Sequence, residues 1–311
     1  MVKSVNNNPA VSVLMTVYNP GKYLSEAVES ILNQTYQDFE FVMINDGSTD
    51  GSKKVLDDYA KTDDRIRLFH QENHGLVYSL NRGLKLAKGK LVARMDSDDV
   101  SLLERLQKQV DYFSKHPDTV LLGTTFAEID QDGRQTRVLT VLLEDDDIRR
   151  DMYFRCPFAH GSVMFRKDAM LEIGGYRQAM WPAEDYDAWG RLRGKGDFAN
   201  LPELLFQYRT GSESISSQNS DNQQKLTQKV RDTIWRQIPT PVSQKEFSSK
   251  MTRYKRANSY HNESMLLWDT KQFVQELVKR KNRRQALKFA KLLVKYQPKQ
   301  TISALMGGSG E

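Results

Sequence analysis

Leu91-Val92-Ala93-Arg94-Met95-Asp96-Ser97-Asp98-Asp99 is the stretch on which the fold turns. A short apolar run, read as a buried strand from Leu91 to Met95, ends in three carboxylates within four residues. Carboxylates packed this closely repel one another, so they need either full solvation or a bound divalent cation. A hard cation such as Mg²⁺ or Mn²⁺ takes oxygen ligands, and only one or two come from protein when phosphates complete its shell. An Asp-x-Asp-Asp cluster at a strand end is therefore compatible with a metal-bridged diphosphate. A solvated acidic loop is the commoner case, and the rest of the chain has to decide between them.

Upstream, short apolar runs alternate with helical patterns. Val11–Val17, Phe39–Asn45 and Ile66–His70 read as strands. Between them, Pro20–Leu32 carries Leu24, Ala27, Val28, Ile31 and Leu32 at helical spacing, and Ser52–Ala60 and Gly75–Ala87 are also helical. Strands alternating with helices imply right-handed βαβ units and a mainly parallel sheet. Ligands of such sheets bind beyond the carboxyl ends of the strands. Three polar clusters fall there: Thr16-Val17-Tyr18-Asn19, Asn45-Asp46-Gly47-Ser48 and Asp96-Ser97-Asp98-Asp99. Downstream the pattern changes to a helix over Leu102–Ser114, strands over Val120–Ile129 and Gln135–Leu142, and a strand over Gly161–Phe165. A helix over Glu184–Leu192 and strands near Phe198 and over Leu204–Tyr208 follow, and Gly211–Asp221 reads as a linker.

At 311 residues and 39% hydrophobic content the chain can bury a large α/β core, which excludes a disordered protein. The one cysteine, Cys156, excludes an internal disulfide and fits a reducing compartment. Met1–Pro9 is polar and reads as a flexible N-terminus without the apolar segment of a secretory signal. No apolar run approaches the ~18 residues of a membrane span. The expectation is a cytoplasmic protein, soluble or peripheral at the inner face of the membrane. The charge of +6 conceals an asymmetry: residues 225–311 hold 19 Lys+Arg against 6 Asp+Glu, and residues 1–224 hold 27 against 34. A basic tail of this kind fits an anionic surface.

The ordered motifs over residues 10–216 resemble an inverting family 2 glycosyltransferase. They are Val11-Ser12-Val13…Tyr18-Asn19, Gln34-Thr35-Tyr36-Gln37-Asp38-Phe39-Glu40, Asn45-Asp46-Gly47-Ser48-Thr49-Asp50, Asn81-Arg82-Gly83 and Met95-Asp96-Ser97-Asp98-Asp99. Gly174-Gly175-Tyr176-Arg177, Glu184-Asp185-Tyr186-Asp187 and Leu201-Pro202-Glu203 complete the set. The resemblance implies a GT-A fold: a Rossmann-like, mainly parallel α/β sheet with helices on both faces, here followed by a C-terminal helical extension. The implied organisation is a catalytic domain over 10–216, with a nucleotide-binding half over 10–100 and an acceptor half over 101–216. A basic helical extension over 217–306 and a disordered tail over 307–311 follow it.

The resemblance also implies roles. Thr16, Tyr18, Asp46, Ser48, Asn81, Arg94 and Asp96 would contact the nucleotide, with Asp46 accepting a hydrogen bond from the imide of uracil or thymine. By residue type alone, Asp46 is equally a turn residue capping the helix that follows. Asp98, with Asp96, would hold a divalent cation, Mn²⁺ or Mg²⁺, on a nucleoside diphosphate sugar donor. Asp99 could ligate, orient the loop or cap the next helix; Arg94 could pair with the carboxylates or touch the nucleotide. Asp185 would be the general base that inverting transfer requires, while a helix start is its ordinary structural use. His160, Trp181 and Glu184 would line the acceptor side. Asn45 stands where many relatives carry Asp. Gly211 stands where many carry a His that helps ligate the metal, which makes Asp98 and solvent the expected remaining ligands.

Two helical patterns, Leu266–Leu277 and Arg284–Tyr296, lie in the basic tail. In the second, Ala286, Leu287, Ala290, Leu293 and Val294 form a stripe with Lys288, Lys291 and Lys295 mostly off it. Such a helix either lies on anionic membrane through residues 271–299 or packs on the catalytic domain; nucleic acid is not an expected partner. The expected reaction moves a sugar, most simply from a UDP donor, to a hydroxyl of a glycan or lipid-linked acceptor. dTDP presents the same imide edge. The rival readings are a sugar-phosphate nucleotidyltransferase, which calls for a basic Gly-rich loop that the N-terminal part lacks, and a catalytically degenerate nucleotide-binding scaffold.

Overall fold

The computed structural model describes residues 9–152, 155–211 and 220–236. The chain divides into a compact unit over Met1–Trp235 and a second unit over Arg236–Glu311. The helices expected over Leu266–Leu277 and Arg284–Tyr296, and the membrane-facing segment 271–299, lie outside the described residues.

The first half alternates as expected. β1 (Val11–Val17), β2 (Phe39–Asp46), β3 (Ile66–Gln71) and β4 (Leu91–Asp96) are separated by α1 (Leu24–Leu32), α2 (Ser52–Thr62) and α3 (Leu76–Leu86). Gly21–Tyr23, expected to open α1, forms a 3₁₀ turn instead. The second half adds β5 (Val100–Ser101), α4 (Arg105–Lys115), β6 (Thr119–Ile129), β7 (Gln135–Leu139), α5 (Asp145–Asp151), β8 (Met164–Arg166), α6 (Lys167–Glu172), α7 (Glu184–Leu192), β9 (Asp197–Arg209) and α8 (Ser220–Arg236). One sheet contains them in the order β3-β2-β1-β4-β8-β6-β9-β5, with β7 on β6. The first four strands are parallel, β8 is antiparallel to β4 and β6, and β9 is again parallel to β6.

The alternation of side chains along β1 explains the layers. Val11, Val13, Met15 and Val17 face one side, where they pack with Leu24, Val28 and Ile31 of α1, Leu56 of α2 and Leu106 of α4. Leu14 faces the other, with Val77, Leu80 and Leu84 of α3 and Trp189 of α7 in the same core. Each such aliphatic side chain is worth about 1.5–3 kcal/mol when fully buried. Polar residues tie the layers. Gln34 Nε2 donates to the Leu102 carbonyl and its Oε1 accepts from Leu106 N–H, so α1 holds the start of α4. Glu40 accepts from Ser12 Oγ and Arg67 Nη1 at the opposite end of the sheet from the ligand edge.

Three expectations change. The strand over Gly161–Phe165 is a 3₁₀ turn at His160–Ser162 followed by β8. The two strands near Phe198 and Leu204 are one, because Pro202 and Glu203 are accommodated where the β6–β9 register slips from Leu201↔Thr124 to Leu204↔Thr125; proline in a sheet is tolerated at such a bulge. α8 begins within the expected linker. Val230 and Ile234 of α8 lie against Gly190 of α7 within the first compact unit.

Candidate active site

Parallel, in-register strands bring the donor-side residues to one edge. Thr16 on β1 is level with Ile44 on β2 and Asp96 on β4, and Asp46 ends β2. With strands about 4.8 Å apart, β2 and β4 lie roughly 10 Å apart across β1, a span that suits a base at one end and a diphosphate at the other. Tyr18 is 54% exposed just past β1, which leaves its ring free to stack on a base. Asp46 is buried, and its carboxylate accepts from Gln71 Nε2 (2.6 Å), His74 N–H (2.9 Å) and Gly75 N–H (2.8 Å). It therefore holds the loop that enters α3. Gly51 is the N-cap of α2, and the residue before it, Asp50, accepts on Oδ1 from Ser52 N–H and Oγ. Ser48 N–H donates to Asn45 Oδ1, and Ser48 Oγ accepts from Asn19 N–H, which fixes the β2 loop against the β1 loop. Gly47 sits at φ +73°, and a Cβ there would lie 2.8 Å from Asn73 N, so the same loop packs on backbone where only glycine fits.

Asn81, on α3, is engaged within the chain. Its Nδ2 donates to the Tyr176 carbonyl (2.8 Å) and its Oδ1 accepts from Tyr176 N–H (2.9 Å), so both ends of the amide anchor the Gly174-Gly175-Tyr176 turn to α3.

The acidic cluster gathers around Arg94. Arg94, on β4, is buried, forms an ion pair with Asp96 Oδ2, and its Nε has no hydrogen-bond acceptor. Asp98, Asp99 and Glu184 all act electrostatically on its guanidinium. Asp96, Ser97 and Asp98 are half-buried at the mouth, whereas Asp99 is buried. Asp99 Oδ1 accepts from Arg209 N–H at 2.7 Å, and its Oδ2 has no partner. Asp99 is thus a support rather than a helix cap, since α4 begins only at Arg105. Arg209 completes the clamp: Nε donates to the Asp98 carbonyl, Nη1 to the Asp130 carbonyl and Nη2 to Glu26. Gly161 lets the 3₁₀ turn press against this cluster, because a Cβ there would lie 3.0 Å from both Asp96 Oδ2 and Asp99 Oδ2.

Burial pushes the Asp98 carboxyl up, against the pull of Arg94 and Arg209, and pushes Asp99 well up, with Asp98 adding to the effect. These are the properties of a site short of positive charge. Asp96 and Asp98, hard oxygen donors at the cleft mouth, fit a divalent cation completed by phosphate oxygens. Among the described residues no three His, Cys, Asp or Glu side chains form a ready-made cage.

The facing wall comes from the 3₁₀ turn and α7. Glu184, Asp185 and Asp187 occupy the first turn of α7, where the unsatisfied N–H groups stabilise carboxylates. Asp185 Oδ1 accepts from Tyr186 N–H (2.6 Å), and Cys156 Sγ lies 3.6 Å from its Oδ2. Burial pushes Asp185 up, opposed by these two donors and by Arg94. Glu184 is buried with Oε2 unpartnered, and burial together with Asp185 pushes it up to about 7. Asp187 points away, to Arg191 Nη2 (2.8 Å) and Arg177 Nη1 (3.6 Å). His160 Nδ1 is 3.9 Å from Glu184 Oε1 and its Nε2 is 3.0 Å from Tyr176 Oη. Burial and Arg94 hold its imidazole well below the ordinary histidine range, hence neutral. Trp181 is half-buried at the entry to α7, and its carbonyl and that of Pro182 accept from Asn222 and Gln223 of α8. Trp189 is core, ringed by Phe158, His160, Phe165 and Tyr176.

The fold therefore gathers Asp96, Asp98, His160, Glu184 and Asp185 around Arg94 and brings Thr16, Tyr18, Asp46 and Ser48 to the carboxyl edge of β1 and β2. Tyr176, Cys156 and Arg209 escaped the sequence reading as site residues. Tyr176 stood in a recognised motif without a role, and nothing local marks Cys156 or Arg209, whose contacts are made across 29 and 110 positions.

Residues 12–174 match the family model described as "Glycosyl transferase family 2". Among curated proteins, the chain is 35% identical over 215 residues to the amylovoran biosynthesis glycosyltransferase AmsE of Erwinia amylovora, covering 68% of this chain and 80% of that one. It is 36% identical over 208 residues to the O-antigen biosynthesis glycosyltransferase WbnJ of Escherichia coli, covering 66% and 81%. Among solved structures, S. aureus TarS 1–349 in complex with UDP-GlcNAc superposes with a TM-score of 0.62 at 18% identity, over 85% of this chain and 80% of that one. The mannosyltransferase of Pyrobaculum calidifontis in complex with GDP-Man and Mn²⁺ gives 0.58 at 15%, over 95% and 89%. These two establish the shared GT-A architecture. The family model spans more than half of the chain and the curated relatives span two thirds of it, so the chain belongs to glycosyl transferase family 2 and is a glycosyltransferase.

Proposed function

We propose that this glycosyltransferase moves a sugar with inversion from a nucleoside diphosphate donor, UDP-linked in the first instance, to a hydroxyl of a glycan or lipid-linked glycan. The observation that carries the reading is the position of Asp185. It lies half-buried at the start of α7, within the field of the same Arg94 guanidinium that faces the Asp96–Asp99 cluster. A base and a phosphate site then share one cleft.

Asp46, Ser48 and the exposed Tyr18 ring would receive the base, with Thr16 beneath it. Asp46 keeps lone pairs beyond its three intramolecular donors, enough to accept an imide N–H. Asp96 and Asp98 would hold a divalent cation, which supplies Lewis-acid neutralisation of the departing diphosphate. Asp185 takes the proton of the acceptor hydroxyl as that oxygen attacks the anomeric carbon, on the face opposite the leaving group, and no covalent enzyme intermediate forms. Its raised affinity for protons makes it a better base than an ordinary aspartate. Neutral His160 and Glu184, whose carboxyl is raised to about 7 and so holds its proton for part of the time near neutral pH, offer acceptor-side hydrogen bonds. The relatives' roles in amylovoran and O-antigen biosynthesis support a surface polysaccharide as the setting. The basic tail, in this reading, holds the enzyme against anionic lipid at the inner face of the membrane.

The first test is calorimetric titration of UDP, dTDP, GDP and CDP with Mn²⁺ and with EDTA. Metal-dependent binding of UDP or dTDP alone is expected, and tight binding of GDP or CDP would remove the role given to Asp46. The second is nucleotide release by wild type and Asp185→Asn in the presence of acceptor glycan. The variant is expected to lose roughly 10²–10⁴-fold in turnover while still binding UDP. Equal turnover would remove Asp185 as base, and inactivity of both proteins would favour a nucleotide-binding scaffold.

A further inference from the structure

We propose that Cys156, the one cysteine of the chain, is a positioning residue for Asp185, its thiol donating a hydrogen bond to Oδ2 and fixing the carboxylate in the plane from which it accepts the acceptor's proton. The proposal rests on the reading of Asp185 as the base.

Four features converge. Cys156 Sγ lies 3.6 Å from Asp185 Oδ2, within the range of a sulfur hydrogen bond. It also lies 3.6 Å from the Phe158 carbonyl. A thiol has one proton, and an ionised carboxylate is the stronger acceptor of the two. Asp185 Oδ1 is already held by Tyr186 N–H at 2.6 Å. One donor on each oxygen fixes the carboxylate plane and leaves on each oxygen a lone pair for an incoming hydroxyl. A single donor on Oδ1 would leave the group free to rotate about Cβ–Cγ.

The surroundings keep the thiol a donor. Burial, Asp185 and Asp151 all push the Cys156 thiol well up, so it stays protonated across the working pH range. Asp185 in turn meets Arg94 from β4, Glu184 and the Tyr186 N–H from α7, and Cys156 from the segment after α5. Tyr176, from the turn held by Asn81, lies in the same field and is itself kept neutral by burial. Among these, Arg94, the Tyr186 amide and Cys156 are the groups that favour the charged carboxylate.

Two measurements test this on the full chain. The first needs no substrate. The rate of iodoacetamide alkylation against pH reports Cys156 alone, because the chain has one cysteine. In Asp185→Asn the apparent thiol pKa is expected to fall by about one unit, since the neighbouring negative charge is gone. In Asp187→Asn, whose side chain faces Arg191 and Arg177, it should not move. An unchanged thiol pKa in Asp185→Asn would show that the thiol only fills space and would overturn the proposal.

The second is the pH profile of UDP release from a panel of UDP-glucose, UDP-galactose and UDP-GlcNAc, using the donor that wild type turns over. Removing a hydrogen bond to the charged form raises a carboxyl pKa. Cys156→Ala should therefore move the acid limb of kcat up by about half a unit to one unit with donor KM unchanged. A lower kcat with an unshifted limb would mean a structural role and would overturn the proposal. Should Asp185→Asn retain turnover, the base assignment fails by itself, and the alkylation result still decides whether thiol and carboxylate are coupled.

Discussion

Arg94 is one guanidinium set among five carboxylates: Asp96 in an ion pair, Asp98, Asp99 and Glu184 around it, and Asp185 within its field. Arg209 adds its pull on Asp98 and Asp99, yet burial still raises the affinity of Asp98, Asp99, Glu184 and Asp185 for protons. Glu184, raised to about 7 by burial and by Asp185, is the clearest case. The direction of its effect on stability follows. Its folded pKa lies above the unfolded value of 4.5, so the folded state holds a proton that the unfolded chain releases between those limits. Stability from this group is complete below pH ~4.5 and falls as pH rises towards 7. Glu184→Gln keeps the shape and removes the titration. It is expected to raise Tm relative to wild type at pH 8, with the difference shrinking to nothing near pH 4, as scanning calorimetry at the two pH values would show. A constant difference at both would mean that Glu184 is not the titrating group. At this scale the carboxylates themselves were legible in the sequence, since Asp-x-Asp-Asp and Glu-Asp are local spellings. It could not give Arg94 its central place or Asn81 its bond to Tyr176, which depend on chain segments meeting from far apart.

At the scale of elements, the site hangs on where β4, β9 and α7 end. β4 delivers the acidic loop, and β9 locks it, because Arg209 spends three side-chain donors on Asp98, Asp130 and Glu26 while its N–H holds Asp99. Arg209 is buried, so losing those bonds strands carbonyls and leaves the loop untethered. Arg209→Met should cost about 2–4 kcal/mol, a Tm fall of roughly 5–10 °C, and should weaken UDP binding in the presence of Mn²⁺. The comparison is Arg137→Met on β7, whose pair with Glu128 is largely exposed and which should change stability by less than about 0.5 kcal/mol. Equal Tm values for the two variants would refute the clamp. The elements that were legible are those with a clean period. β1 runs over the expected residues, and so does α7, because its acidic first turn and apolar spacing are both local. The single β9 was not legible, since Pro202 reads as a break and only pairing with β6 carries the strand past it. α5, with Asp145-Asp146-Asp147 followed by Arg149 and Arg150, is a short charged helix stabilised by i,i+4 pairs and by docking, without an apolar stripe to announce it.

Over the whole molecule, charge and compactness divide the chain near the same place. The first compact unit ends at Trp235, and residues 225–311 carry most of the basic excess. All the cleft residues discussed above lie within the first unit, and α8 contributes to its core through Val230 and Ile234. Among the described residues no helix is long and apolar enough to cross a membrane. Each Lys or Arg near an anionic leaflet is worth about 1 kcal/mol, an attraction that is screened within ~10 Å at 0.1 M salt. Cutting the chain after Arg236 separates the two requirements. Residues 1–236 should bind UDP with Mn²⁺ as the full chain does, because they retain every site residue described above. They should lose the co-sedimentation with phosphatidylglycerol vesicles that the full chain shows at low salt and gives up at high salt. Loss of UDP binding on truncation would mean that the tail completes the donor site. Undiminished vesicle binding would mean that the catalytic unit itself, whose net charge over residues 1–224 is negative, meets the membrane through a local basic face rather than through its tail.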